Sequence, residues 1–169
     1  MSASLNDNNC RFCHQFFILN IHELALIPGG FEEATFYLRG RHRIYIKKRK
    51  GFIKYALQFG YKIMPSYVFG EELSYWQLDV GFNSIRLWLN KYGIPGTVFI
   101  GKYFTFLPDC NMDVTIVVGK EIILPKIENP SPEDIDKYHA IYIKDLSALF
   151  ERNKAKYAAT RGDAKLEIL

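Results

Sequence analysis

Long apolar runs are missing from this chain. No stretch of about 18 uncharged apolar residues occurs, so no transmembrane helix is expected. Cysteine is scarce, at three residues, too few for the disulfide framework of a small secreted domain. The first 17 residues, MSASLNDNNCRFCHQFF, show neither the basic start nor the apolar centre of a secretory signal. Internal repeats and low-complexity tracts are also absent. Acid is lacking in one segment only. From Arg39 to Lys50 there are seven Lys and Arg and no Asp or Glu, whereas the remaining sequence carries 15 bases against 18 acids. The basicity is therefore local. It argues against a general nucleic-acid coat and for a directed anionic partner.

What is present is globular material. Hydrophobic residues make up 49% and charged residues 24% of 169, which fits one folded domain rather than disorder. A chain of this size buries roughly 70% of its unfolded surface. Aromatics reach 15%, a level that serves interiors and membrane interfaces alike.

Cys10-Arg11-Phe12-Cys13-His14 has the C-x-x-C-H pattern of c-type haem attachment. That chemistry needs an exported context, which the first residues do not signal, so a chance match is expected. A zinc site needs four ligands, and the second pair would have to be Cys110 with His22 or His139. No metal is expected.

The pattern of elements is mixed. Residues 1–15 are polar and are expected to be disordered or a non-native start. A strand is expected around Glu23–Ile27, ended by Pro28-Gly29-Gly30, and a short helix over Phe31–Phe36. Ile and Tyr enrichment predicts a strand over Arg43–Lys47. Phe52, Ile53, Ala56 and Leu57 form the apolar stripe of a helix over Gly51–Phe59. Gly60 stands where a left-handed cap would fall, and Tyr61–Met64 follows as a strand. Asn83 or Ser84 can cap a helix through Tyr92, closed by Gly93 and Pro95. Thr97–Ile100 and Val114–Val118 are β-branched and read as strands. Ser131-Pro132-Glu133-Asp134 is a helix start, and Ile135, Tyr138, Tyr142, Leu146, Leu149 and Phe150 give one apolar side. The resulting helix has about 26 residues and a length on the order of 39 Å. Alternating strands and helices predict an α/β layered domain with a mainly parallel sheet and flanking helices.

Four ordered motifs then carry a resemblance. Pro28-Gly29-Gly30-Phe31-Glu32-Glu33-Ala34 resembles the P-G-G-x-x-E-A motif of the type-two diacylglycerol acyltransferase family, which includes monoacylglycerol and wax-ester acyltransferases. Arg49-Lys50-Gly51-Phe52-Ile53-Lys54-Tyr55-Ala56 resembles its R-x-G-F-x-[KR]-x-A signature, continued by Gly60, Pro65 and Phe69-Gly70-Glu71. Val117-Val118-Gly119 is similar to its V-V-G strand end. Pro125–Pro130 with Tyr138-His139, Leu146, Leu149-Phe150 and Lys154 is similar to its C-terminal helix region. The resemblance covers residues 24–169. It departs at Gly101-Lys102-Tyr103, where the family has Gly-Arg-Gly, and at Glu121, where it has Pro.

The resemblance implies transfer of a fatty acyl group from acyl-CoA to a glycerolipid hydroxyl, diacylglycerol to triacylglycerol first. It implies an endoplasmic reticulum or lipid-droplet surface, acyl-CoA as co-substrate, mono- or diacylglycerol and a membrane surface as partners, and no bound cofactor. The family's catalytic motif is His-Pro-His-Gly. His14, His22, His42 and His139 are the four histidines here, and none lies in that motif or in H-x-x-x-x-D. Residues 16–169 are thus expected to be the C-terminal part of an acyltransferase domain, incomplete at the N-terminus and inactive alone. The implied substrate-binding residues are Gly29, Gly30, Glu33, Arg49, Lys50, Lys54 and Glu71. Glu33 would hold the acceptor hydroxyl or organise the site; a solvated carboxylate at a helix start is the other reading. The basic cluster would meet phosphates or an anionic headgroup layer, or stand as a solvated strand edge. A non-catalytic relative that binds lipid or a partner is the alternative, and a basic nucleic-acid module the remote one.

Overall fold

The computed structural model describes residues 24–77, 83–90, 92, 96, 99–109, 112–159 and 163–169. Helix α1 (Gly30–Phe36) starts at the paired glycines and carries Glu32 and Glu33 in its first turn, where the positive helix end favours them. Strand β1 (His42–Ile44) follows a turn at Gly40. Helix α2 (Gly51–Phe59) buries Ile53, Ala56 and Leu57 and ends at Gly60. There φ is 69°, and the Gly60 and Tyr61 N–H groups donate to Leu57 and Ala56 carbonyls. This is the left-handed cap expected of that glycine.

Strands β2 (Lys62–Ile63) and β3 (Ser66–Phe69) flank Pro65. A short 3-10 turn at Glu71–Leu73 leads to β4 (Trp76–Gln77), then to α3 (Asn83–Asn90) and β5 (Phe99–Ile100). After a second 3-10 turn at Lys102–Phe104 come β6 (Thr115–Val118) and β7 (Ile122–Ile123). Helix α4 (Pro132–Tyr157) has 26 residues and β8 (Leu166–Ile168) closes the order.

Helix α4 begins as its sequence dictates. The Ser131 side chain accepts from the Asp134 N–H at 3.1 Å, and Asp134 Oδ2 accepts from the Ser131 N–H at 3.1 Å. This reciprocal pair, with Pro132 at the first position, satisfies donors that a helix start leaves open. Tyr142, Leu146, Leu149 and Phe150 on its inner side meet Ile53 and Leu57 of α2 and Tyr67 and Phe69 of β3. Phe150 and Phe69 are fully buried and stack at 5.4 Å between centroids.

The sheet differs from the expectation. The described residues form four two-stranded pairs. Only β1 with β8 is parallel; β2–β7, β3–β6 and β4–β5 are antiparallel. Helix α2 does connect two strands, but it does not return the chain beside the one it left. The neighbour of β1 is β8, and that of β2 is β7. Local alternation of strand and helix therefore does not make a parallel crossover here. The expected strand near Glu23–Ile27 is also revised: residues 24–27 are irregular, and Ile27 is 86% exposed with no partner strand to cover it. The C-x-x-C-H segment, Cys110, His22, Gly93 and Pro95 lie outside the described residues.

Candidate functional site

Gly29 is buried, and the reason is Glu33. A Cβ at Gly29 would lie 2.2 Å from Glu33 Oε2, well inside contact distance. Only a residue without a side chain lets the carboxylate fold back against the helix entry. Glu33 Oε2 accepts the Tyr45 N–H at 2.9 Å. Burial raises the Glu33 carboxyl above its ordinary value; the Tyr45 bond opposes this and the charge of nearby Glu71 adds to it. Glu33 and Glu71 stand 38 positions apart, and the fold brings them within electrostatic reach of each other. Burial also raises the Tyr142 phenol, with Glu33 contributing. Glu33 is thus half-buried, biased toward keeping a proton, and able to donate to or accept from a hydroxyl.

Gly70 holds the other side. Its φ is 94°, and a Cβ there would meet the Asp113 carbonyl oxygen at 2.0 Å. It turns the chain from β3 into the Glu71–Leu73 turn, leaving Glu71 exposed and Glu72 buried. Glu72 belongs to a group that the sequence did not suggest. His42, 3% exposed, shares a hydrogen bond of 3.0 Å between Nδ1 and the Tyr67 hydroxyl. Its Nε2 stands 3.8 Å from Glu72 Oε1, beyond hydrogen-bond distance. Glu72 Oε2 accepts the Gly70 N–H at 2.8 Å, while Oε1 has no hydrogen-bond partner among the described residues. Burial lowers the His42 imidazole, against the pull of Glu72. Burial first, then Glu72, Glu33 and Glu71, push the Tyr67 phenol up. The strand alternation that buries Tyr67 and Phe69 was a usable signal. The pairing of His42 with Tyr67 across 25 positions was not.

The basic run is largely neutralised within the fold. Arg39 pairs with Asp109, Arg41 and Arg43 with Glu167, Arg49 with Glu32, and Lys50 with Asp136 of α4. Arg39 also lies over the Trp76 ring at 4.5 Å. Lys47, Lys48 and Lys54 make no ion pair among the described residues. The predicted site residues therefore split. Gly29 and Glu33 are packed together, and the charge of Glu71 reaches Glu33. Gly30, with φ of 63°, sits instead beside the Arg49–Glu32 pair. Lys50 is directed to α4 and Lys54 lies one turn further along α2. His139, the zinc candidate within the described residues, is buried with Nε2 on the Ile46 carbonyl at 3.1 Å.

Sequence comparison decides the family. The profile of the family described as diacylglycerol acyltransferase matches residues 19–168. The chain belongs to this family. As an acyltransferase-family chain it is 38% identical over 144 residues to acyl-CoA wax alcohol acyltransferase 2 of Mus musculus, covering 79% of itself and 43% of that protein. It is 36% identical over 151 residues to diacylglycerol O-acyltransferase 2 of Danio rerio, covering 83% of itself and 42% of that protein. It is 35% identical over 148 residues to diacylglycerol O-acyltransferase 2-like protein 6 of Homo sapiens, covering 79% and 44%. The chain spans less than half the length of these relatives. No solved structure matches.

Proposed function

We propose that this chain supplies the acceptor side of an acyl-CoA acyltransferase, with residues 16–169 as the C-terminal part of the catalytic domain. The observation that carries the reading is the packing of Gly29 against the half-buried Glu33 carboxylate, which the Tyr45 N–H holds in place. In the reaction a lipid hydroxyl oxygen attacks the thioester carbonyl. The C–S bond breaks, an ester C–O bond forms, and the hydroxyl proton ends on the coenzyme A sulfur. Glu33 binds the acceptor hydroxyl and holds its oxygen toward the thioester; Glu71 keeps that carboxyl protonated more of the time. Diacylglycerol is the acceptor we favour, with a long-chain alcohol the other class that the relatives' names support.

Removing the hydroxyl proton requires a base. His42 and His139 are buried and engaged by Tyr67 and Ile46, so neither is free to serve. The family places the base in His-Pro-His-Gly, which the 169 residues do not contain, and the isolated chain is therefore expected to be inactive. Adsorption to a membrane or lipid-droplet surface, as at the endoplasmic reticulum, fits the turn at Lys102–Phe104. Tyr103, Phe104, Phe106 and Leu107 are 66–91% exposed there, the side-chain types that settle at a bilayer interface. The ion pairing of the basic run weighs against the nucleic-acid reading.

The test is a chimaera in which residues 24–169 replace the matching segment of the Danio rerio relative. We expect triacylglycerol synthesis from labelled acyl-CoA, reduced by roughly tenfold or more on Glu33→Gln, within the range of an oriented hydrogen-bonding group. A folded chimaera without activity, or one indifferent to Glu33→Gln, refutes the reading.

A further inference from the structure

Five of the seven cations in the basic run are paired with acids. That leaves Lys47 and Lys48 as the cations of the run without an ion pair among the described residues, and other unpaired cations are candidates to meet a phosphate. A cleft of about 380 Å³ opens between the end of β6 and the later turns of α4, lined by Val118, Gly119, Lys120, Leu149, Arg152 and Asn153. The acids adjacent in sequence to its two cations are already engaged. Glu121 is held by Lys62 at 3.0 Å and Glu151 by Lys154 at 2.7 Å. Lys120 and Arg152 make no ion pair among the described residues. Arg152 uses Nε on the Ala148 carbonyl at 3.2 Å, which orients its guanidinium along the helix.

Val118 and Leu149 supply the apolar part of the lining. Gly119 lets the strand end lie against Pro65: its N–H donates to the Pro65 carbonyl at 2.7 Å, and a Cβ would crowd the Pro65 ring and carbonyl. An apolar strip continues from there. Val114, just before β6, and Ile116 and Val118 within it alternate on its outer side and are 52–65% exposed, with Ile123 of β7 at 68%. Val117, between them, packs inward. Five residues of strand span roughly 13 Å from first to last. Cations at one end of such a strip suit a molecule with phosphates at one end and an extended, amphipathic arm leading away from them.

We propose that the Lys120–Arg152 cleft binds the phosphates of a coenzyme A thioester, with its pantetheine arm along the outer side of β6. The inference rests on the acyl-CoA reading above and names where the donor's nucleotide end docks. Arg offers a planar fork and Lys a point charge, both suited to clustered phosphates.

Calorimetric titration of the full 169-residue chain with coenzyme A at low salt tests it. Binding is expected, about tenfold weaker in the Lys120→Ala/Arg152→Ala double variant and weaker for 3′-dephospho-coenzyme A. A Lys47→Ala/Lys48→Ala variant should bind like the wild type, and thermal melts confirm that each variant is folded. Equal affinity in wild type and the Lys120/Arg152 variant overturns the cleft but leaves the acyl-CoA reading standing. So does loss of binding in the Lys47/Lys48 variant instead. Absence of coenzyme A binding overturns the cleft, and the chimaera assay then judges the broader reading independently. Anionic phospholipid vesicles that bind through Lys120 and Arg152 where coenzyme A does not would make this a headgroup site and overturn the proposal.

Discussion

At the scale of single residues, Gly29 and Glu33 act as one unit. Gly29→Ala puts a methyl group on the carboxylate, so Glu33 must leave the Tyr45 N–H. We expect this variant to lose chimaera activity much as Glu33→Gln does while its unfolding midpoint in urea falls by less than that of a core truncation such as Phe150→Ala, which costs about 3–5 kcal/mol. The titratable groups act in opposing directions. The fold holds His42 and His139 neutral, because burial lowers both. The unfolded chain takes up their protons first as pH falls below about 6.5, so stability is retained above that value and lost beneath it. Glu33 has the opposite sign. Its raised carboxyl takes a proton in the folded state first, which stabilises the fold as pH drops toward the ordinary carboxylate value. Urea titrations from about pH 7.5 down to the ordinary carboxylate value should therefore show an acid loss that flattens in His42→Gln and, over the range where Glu33 takes up its proton, steepens in Glu33→Gln. A slope unchanged in both variants would contradict the burial assigned to these groups.

At the scale of elements, legibility followed locality. Helix α4 was readable to its first residue because cap, proline and acids lie within four positions. Helix α2 was readable because its apolar stripe and terminal glycine are contiguous. Strand partners were not, since β1 meets a segment more than 120 positions away and no local pattern encodes that choice. The candidate site shows the same division. Glu33 and Glu71 were legible through motifs, whereas Glu72 and His42 became visible only when the turn after β3 was brought against β1. The cap of α4 gives a direct check. Ser131→Ala removes the hydroxyl that accepts the Asp134 N–H, while the Ser131 N–H keeps Asp134 Oδ2, and should cost about 1 kcal/mol by urea denaturation, with Ser131→Asp restoring most of it. A neutral Ser131→Ala would mean that packing of Leu146, Leu149 and Phe150 alone sets the helix start.

At the scale of the molecule, the basic run is a set of ties. Arg41 and Arg43 hold Glu167, Arg49 holds α1 and Lys50 holds α4. Each exposed pair is worth at most about 1 kcal/mol, so Glu167→Gln alone should lower stability only slightly, and less still at high salt. Deleting residues 166–169 is a different matter. It removes the partner strand of β1 and the bonds from Leu169 to Ile44, Ile46 and Lys47. We expect loss of the cooperative melt and of His42 protection from solvent, read by hydrogen exchange. A truncated chain that still melts cooperatively would show β8 to be dispensable. The β1–β8 ladder also has a kinetic meaning. Its paired residues lie 124 positions apart in a chain of 169, so closing it carries the loop-entropy cost of a high contact order. Until that last docking, β1 presents an unpaired edge beside the burial place of His42. Refolding should then show an early phase for α2 and α4 and a slower one for β1, and aggregation during the interval between them.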